Sequence, residues 1–336
     1  MARLSKEQHP DFIWTWKSNT RGSRSSIWFP YVSEINKTKK GWIVCYNGGE
    51  LIIDLGKIDF IMFYGASGTL PLEFLDELSK NKIIFMIHRR NLLKPYMFYP
   101  ATVGDQVDVL SSQISFRNNG IKKAYIARLL IKERFNKMEE YYSISSTTYY
   151  ELGKSRTVQK IRSIEAATTK LFWDKWFSNL NSSMHRRTDN PLSAALDAGS
   201  KFIYGILLRW ILFHKLSPCH AYLHEPTDYP SLVYDLIEPY RYMIEDAVAI
   251  SYMSDKNIDE KKLVAKSLEE LKRILNEVVY VPASRQMVRR KNLLHGIVLA
   301  LRAYLLGETK RFVIPVEGKK KGGRPPKISY RLPGER

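Results

Sequence analysis

The feature that most constrains this chain is a change in apolar period across LKPYMFYPATVGD, residues 93–105. Upstream, GWIVCYN, ELIIDLG, KIDFIMFYG and KIIFMIHR are short apolar runs broken by Gly48, Gly49 and Gly56, which is the pattern of strands. One amphipathic helix interrupts them, TLPLEFLDELSKN, with Leu70, Phe74, Leu75 and Leu78 on one side. Downstream of Gln106 the spacing becomes helical, through VDVLSSQISF, GIKKAYIARLLIKERFNKMEEYY and SRTVQKIRSIEAATTKLFWDKWFSNL. Pro95, Pro100 and Gly104 stop either pattern from running through the junction. The expected fold class is therefore α+β: a β-rich domain over residues 1–100, a larger all-α domain over 105–310, and a basic, flexible tail over 311–336.

A chain of 336 residues with a formal charge of +19 favours a polyanionic partner, nucleic acid before an acidic membrane. Charge of this kind supplies affinity and not chemistry. Cys45 and Cys219 form no metal-ligand pair and no disulfide framework, which suits a reducing compartment. The segment MARLSKEQHPDF has no apolar leader core, and the most apolar helix is broken by Lys201, Arg209 and His214, so a cytoplasmic protein with no membrane partner is expected. Trp14, Trp16 and Trp28 stand among lysines and arginines; packing of the first strands is the leading reading, stacking on nucleic-acid bases the second.

Chemistry concentrates between Asp189 and Glu238, with Glu165 upstream. A helix is expected from about Leu192 to His214, then a polar loop carrying His224 in YLHE, then a helix opening near Ser231. Asp235 and Glu238, three residues apart, share a face of that second helix. Glu165 interrupts a stripe of apolar and small residues, where a charged carboxylate needs a partner. Carboxylate, imidazole and carboxylate together suit Mn²⁺ or Mg²⁺, the imidazole favouring Mn²⁺. The same residue types also occur as ordinary capping and buried polar groups.

Basic residues suited to DNA phosphate fall in four places. Arg186 and Arg187 lie in the loop NSSMHRRTDNP, and Arg241 follows Glu238. Arg285, Arg289 and Arg290 are read on a helix from Ser284 to Leu306, after one from Asp259 to Val278. Such contacts position a duplex without reading its sequence. Arg324 sits in KKKGGRPPK, within a terminal stretch of seven basic and two acidic residues after Val316, and an extended arginine of this kind suits a narrow minor groove.

Four segments carry a resemblance: Thr157 to Trp176, NPLSAALDAGSKFIYGILLRW, AYLHEP and SLVYDLIEPYR. In that order they resemble the CRISPR-associated integrase family, the larger and catalytic subunit of the spacer-acquisition complex, over most of the chain. The resemblance implies a β-rich domain that pairs in a homodimer and a helical catalytic domain. It implies metal ligation by Glu165, His224 and Glu238, with Asp235 as a further acidic residue. Many members carry Asp where this chain has Glu238, which leaves open whether Asp235 or Glu238 is the closer ligand. The implied reaction is attack by the 3′-hydroxyl of a short DNA fragment on a phosphodiester at a CRISPR repeat boundary, with metal-dependent DNA cleavage as a related activity. Double-stranded DNA, a small partner subunit and a prokaryotic cytoplasm follow. Three competitors are a transposon-borne integrase of the same family, a DNA-binding protein without catalysis, and a metal-dependent nuclease without an integration role. The stretch after Leu306 is short for the added DNA-binding domain that transposon-borne relatives carry.

Overall fold

The structure, a computed structural model, describes residues 24–88, 95–100, 108–186, 188–320 and 328–333. It divides into two compact units, one of residues 1–104 with 201–209, the other of 105–200 with 210–336.

In the first unit the strands are β1 (Ser25–Val32), β2 (Glu34–Thr38), β3 (Gly41–Tyr46), β4 (Gly49–Ile53), β5 (Ile58–Ala66), β6 (Ile84–His88) and β7 (Tyr96–Phe98), with helix α1 (Leu72–Lys80) between β5 and β6. They form a four-stranded sheet of order β1-β5-β6-β7 and a three-stranded meander β2-β3-β4. β1 and β6 both run parallel to β5, with Phe29 opposite Phe63 and Phe63 opposite Ile87. The apolar runs behave as strands for a visible reason: in β3 the alternating Trp42, Val44 and Tyr46 are buried while Ile43 and Cys45 are half-covered. Trp42 then donates from its indole to Glu77 on α1 at 2.8 Å, so the meander and the helix close over one core of Phe29, Ile53, Phe63, Phe74 and Phe85. Trp28 is buried in β1, consistent with packing of the first strands; Trp14 and Trp16 lie outside the described residues.

The second unit is mostly helical: α2 (Val109–Asn118), α3 (Gly120–Met138), α4 (Ser146–Lys154), α5 (Val158–Asn179), α6 (Pro191–Phe213), α7 (Ser231–Ile237), a 3-10 turn (Glu238–Tyr240), α8 (Arg241–Ser254), α9 (Glu260–Asn276) and α10 (Lys291–Leu305). The central turns of α6, residues 201–209, group with the first unit. Helix starts follow the sequence. Asn119, Thr157, Asn190 and Asp259 each cap the helix that follows by accepting from a backbone N–H, and Pro191 opens α6. No helix among the described residues is long and apolar enough to cross a membrane.

Two expectations are corrected. The helix expected from Ser284 begins only at Lys291; before it, β8 (Val278–Val281) and β9 (Gln286–Arg289) pair as an antiparallel hairpin. The run VVYV is β-branched and aromatic, and Arg285 takes a positive φ of 56° in the connecting turn, so neither strand can continue a helix. Arg285 and Arg289 therefore do not share a helical face. The tail expected to be flexible from residue 311 is instead anchored at several of its described residues. Phe312, Ile314 and Leu332 are buried, the Tyr240 hydroxyl donates to the Pro315 carbonyl at 2.8 Å, and the Gln286 side-chain amide exchanges two bonds with the Leu332 backbone, both 3.0 Å.

Candidate active site

α5 buries Ile161, Ile164, Thr168 and Phe172 at helical spacing, and this stripe fixes the rotation of the helix. Glu165, adjacent to the stripe, is half-buried, and its Oε1 accepts from the Thr169 hydroxyl one turn on at 3.1 Å. Burial, reinforced by the negative charge of Glu238, holds its carboxyl above the ordinary carboxylate range.

The His224 segment is organised by Asp235 on α7. That carboxylate is fully buried and accepts from the backbone N–H of Tyr222, Leu223 and His224 at 2.7, 2.8 and 3.0 Å. It also lies 2.8 Å from His224 Nδ1. Both oxygens are thus committed to shaping the loop and orienting the ring, which leaves Nε2 as the imidazole nitrogen open to a ligand. Burial works against a charged imidazole, but the Asp235 hydrogen bond and charge outweigh it and raise the pKa of His224. From the other side, Gln113 grips the stretch leading into this segment. Its amide donates to the Ser217 and His220 carbonyls at 2.9 and 2.8 Å and accepts from Ser217 N at 2.8 Å. Arg117 donates to the Ala221 and Glu225 carbonyls at 3.1 and 2.6 Å.

Glu238 opens the 3-10 turn after α7 and is buried. Burial opposes its charge, yet Arg241, Arg134 and His224 together lower its pKa. Arg241 Nε donates to Glu238 Oε1 at 2.8 Å, and Arg134 Nε stands 3.9 Å from Oε2. Arg134 is itself buried and forks onto Glu245 of α8 through both terminal nitrogens. Beside that pair, the Tyr141 hydroxyl donates to Asp246, whose pKa burial pushes up to about 6.

The charges of His224 and Glu238 act on Glu165, and that of His224 acts on Glu238, so the three lie in one neighbourhood of the second unit. Their donor types suit a hard or borderline divalent cation. Among the described residues, no group of three His, Cys, Asp or Glu side chains is gathered as it would be around an ion. The positive charge next to Glu238 is supplied here by Arg241 and Arg134.

The expected DNA-contacting arginines are dispersed. Arg186 pairs with Asp197 at 2.5 Å and lies over the Trp173 ring. Arg290 is bound by both Glu277 and Glu317. Arg289 reaches Asn276 at 3.4 Å, and Arg285 occupies the hairpin turn. Arg187 and Arg324 lie outside the described residues. Sequence reasoning missed Gln113, Arg117, Arg134 and Glu245. The available signal was a polar residue inside an apolar stripe, as Arg134 is between Ile131 and Phe135.

A family model described as "CRISPR associated protein Cas1" matches residues 31–277. A curated CRISPR-associated endonuclease Cas1 of Moorella thermoacetica is 25% identical over 180 residues, 47% of this chain and 55% of the relative. The chain thus spans about half the length of the curated relatives it matches. Two solved structures share the fold at a TM-score of 0.71 and 18% identity: a casposase bound to integration product, covering 84% of this chain and 91% of that one, and a Cas1 protein of Thermotoga maritima, covering 88% and 100%.

Proposed function

Because the chain belongs to the CRISPR-associated Cas1 family, we propose that it is a divalent-metal-dependent DNA integrase and endonuclease that inserts short DNA fragments at a CRISPR repeat boundary. The observation that best supports this reading is the imidazole of His224, oriented by Asp235 and within electrostatic reach of Glu165 and Glu238. Glu165, His224 and Glu238 would hold the cation, Mn²⁺ or Mg²⁺. When bound, such an ion supplies Lewis-acid stabilisation of charge at the phosphoryl group.

The chain's own residues do the rest. Asp235 fixes the tautomer and direction of His224, and Gln113 with Arg117 keeps the loop from collapsing when DNA displaces water. Arg241 pairs with Glu238 and offsets its charge. A cation held by Glu238 would relieve the guanidinium of that pairing and leave it for a DNA phosphate, which makes Arg241 the best placed of the arginine candidates. Arg186, Arg285, Arg289 and Arg290 are weaker positions, since Arg186 and Arg290 already have carboxylate partners. Double-stranded DNA, a second copy of this chain and a small partner subunit complete the reading. The charge of +19 matches a DNA surface longer than a nuclease pocket.

Integration of a mobile element's own ends is the second reading, favoured by the casposase, whose fold similarity equals that of the Thermotoga Cas1. The test is insertion of a labelled fragment into a plasmid carrying a CRISPR repeat array, with Mn²⁺ and the partner subunit. Covalent joining at repeat boundaries supports the proposal. Joining elsewhere, or only of transposon-end fragments, favours the second reading, and hydrolysis without joining reduces the protein to a nuclease.

A further inference from the structure

Glu238 sits where the helical hydrogen-bond ladder is weakest. It opens the 3-10 turn between α7 and α8, and the next residue, Pro239, has no amide N–H to return to that ladder. The turn is instead tied from outside. Tyr240, its last residue, is buried and donates from its hydroxyl to the Pro315 carbonyl at 2.8 Å. We propose that the strap of residues 312–318 is a working part of the active site, with Tyr240 and Glu317 as positioning residues that hold Glu238 in the direction a metal ligand requires. That Glu238 needs a set direction rests on its reading as a ligand.

The strap is fixed along its length. Phe312, Ile314 and Pro315 are buried, the Tyr330 hydroxyl donates to the Val313 carbonyl at 3.1 Å, and Gly318 N donates to the Tyr280 carbonyl of β8 at 3.0 Å. Pro315 has no N–H, so its carbonyl is the one backbone group it has to bond, and Tyr240 takes it. Glu317 adds a second tie. It accepts from Lys137 of α3 at 3.0 Å and from Arg290, at the head of α10, at 2.6 Å. Lys137 stands one turn beyond Arg134 on α3, and its Nζ lies 4.4 Å over the ring of Tyr242.

These ties reach Glu238 from two directions. Through Tyr240 they hold the turn itself, and through Lys137 they brace α3, whose Arg134 Nε stands 3.9 Å from Glu238 Oε2. Arg134 also lies 5.1 Å over the ring of Phe172 on α5, the helix that carries Glu165. A 3-10 turn advances by about 120° per residue where an α-helix advances by about 100°, so a turn that relaxes toward the α form swings its side chains round the axis. Metal ligation tolerates errors of only about 0.2 Å. Packing is indifferent to errors of that size, which is what separates a positioning role from a structural one.

The test measures Mn²⁺ binding directly, by loss of the free-ion electron paramagnetic resonance signal, on full-length Tyr240→Phe and Glu317→Gln beside wild type and Leu332→Ala. Tyr240→Phe removes one hydroxyl and keeps the buried ring. Leu332→Ala loosens the same C-terminal stretch at a different anchor and controls for a general loss of packing. The expected result is an Mn²⁺ affinity lowered at least ~5-fold in Tyr240→Phe, less than the ~10–100-fold of groups that bond a ligand directly, and within about twofold of wild type in Leu332→Ala. Glu317→Gln should shift it in the same direction as Tyr240→Phe. Hydrogen exchange gives a readout that needs no metal: the amides of residues 237–243 should exchange at least ~5-fold faster in Tyr240→Phe and not in Leu332→Ala. Unchanged affinity or unchanged exchange in Tyr240→Phe, or an equal change in Leu332→Ala, overturns the role of the strap. Wild-type protein that binds Mn²⁺ through His224 but never joins strands would overturn the integrase reading and leave the strap standing. Strand transfer at the wild-type Mn²⁺ requirement in Tyr240→Phe would do the reverse.

Discussion

Asp235 and Glu238 are three residues apart and have opposite tasks: one is consumed by four hydrogen bonds that build the His224 loop, the other faces arginines. The sequence placed both on one face but offered no way to tell which of them organises the loop, because that depends on which backbone N–H groups come to meet each carboxylate. Asp246 permits a test of this buried charge network away from the ligand positions. Its folded-state pKa of about 6 lies above the unfolded carboxylate value, so its contribution to stability is full at acid pH and is lost as pH rises through about 6. At pH 8 the ionised group is a liability. Asp246→Asn keeps an acceptor for the Tyr141 hydroxyl and should gain ~1–2 kcal/mol at pH 8, after discounting for its partial exposure, and less than about half of that at pH 4.5. Urea unfolding at the two pH values measures this, and an equal change at both would refute the assignment. The Arg134–Glu245 pair was not legible at all: its members are 111 residues apart, and no local pattern joins them.

At the level of elements, β3 to β6 and the helices α1, α3, α5 and α6 followed their sequence signals, whereas β1, β2, β7 and α4 were not read from the sequence. The signals failed where an apolar stretch was short and its context tertiary. The stretch SRQMV was read as the start of a helix through its arginine spacing, but it pairs as a strand with the four β-branched or aromatic residues before Pro282. The tail was read from its glycines, prolines and lysines, while its anchors, Phe312, Ile314 and Leu332, are isolated apolar residues without a period. Gly296 explains one anchor: a Cβ there would stand 2.2 Å from Leu332 Cδ2, so the glycine admits the returning chain against α10. Leu332→Ala should therefore cost ~2 kcal/mol, toward the low end for a buried leucine, because the site lies at the edge of the unit. A change below ~0.5 kcal/mol in denaturant unfolding would mean that the segment is not held in solution.

At the scale of the whole molecule, charge and family lead to an assembly. The β-rich unit is expected to pair about a two-fold axis through the segment 41–94, so light scattering at micromolar concentration should report a dimer. A monodisperse monomer would contradict this. DNA affinity spread over many phosphates should fall steeply with salt and should survive loss of a single ligand. That separation makes the central claim directly testable: Mn²⁺-dependent strand transfer on a branched DNA substrate, measured beside DNA affinity at low salt, for wild type and His224→Ala. The account predicts that the variant binds DNA within about twofold of wild type, while strand transfer falls by at least ~100-fold, as loss of a metal ligand or its support does. Unchanged strand transfer in His224→Ala would contradict it.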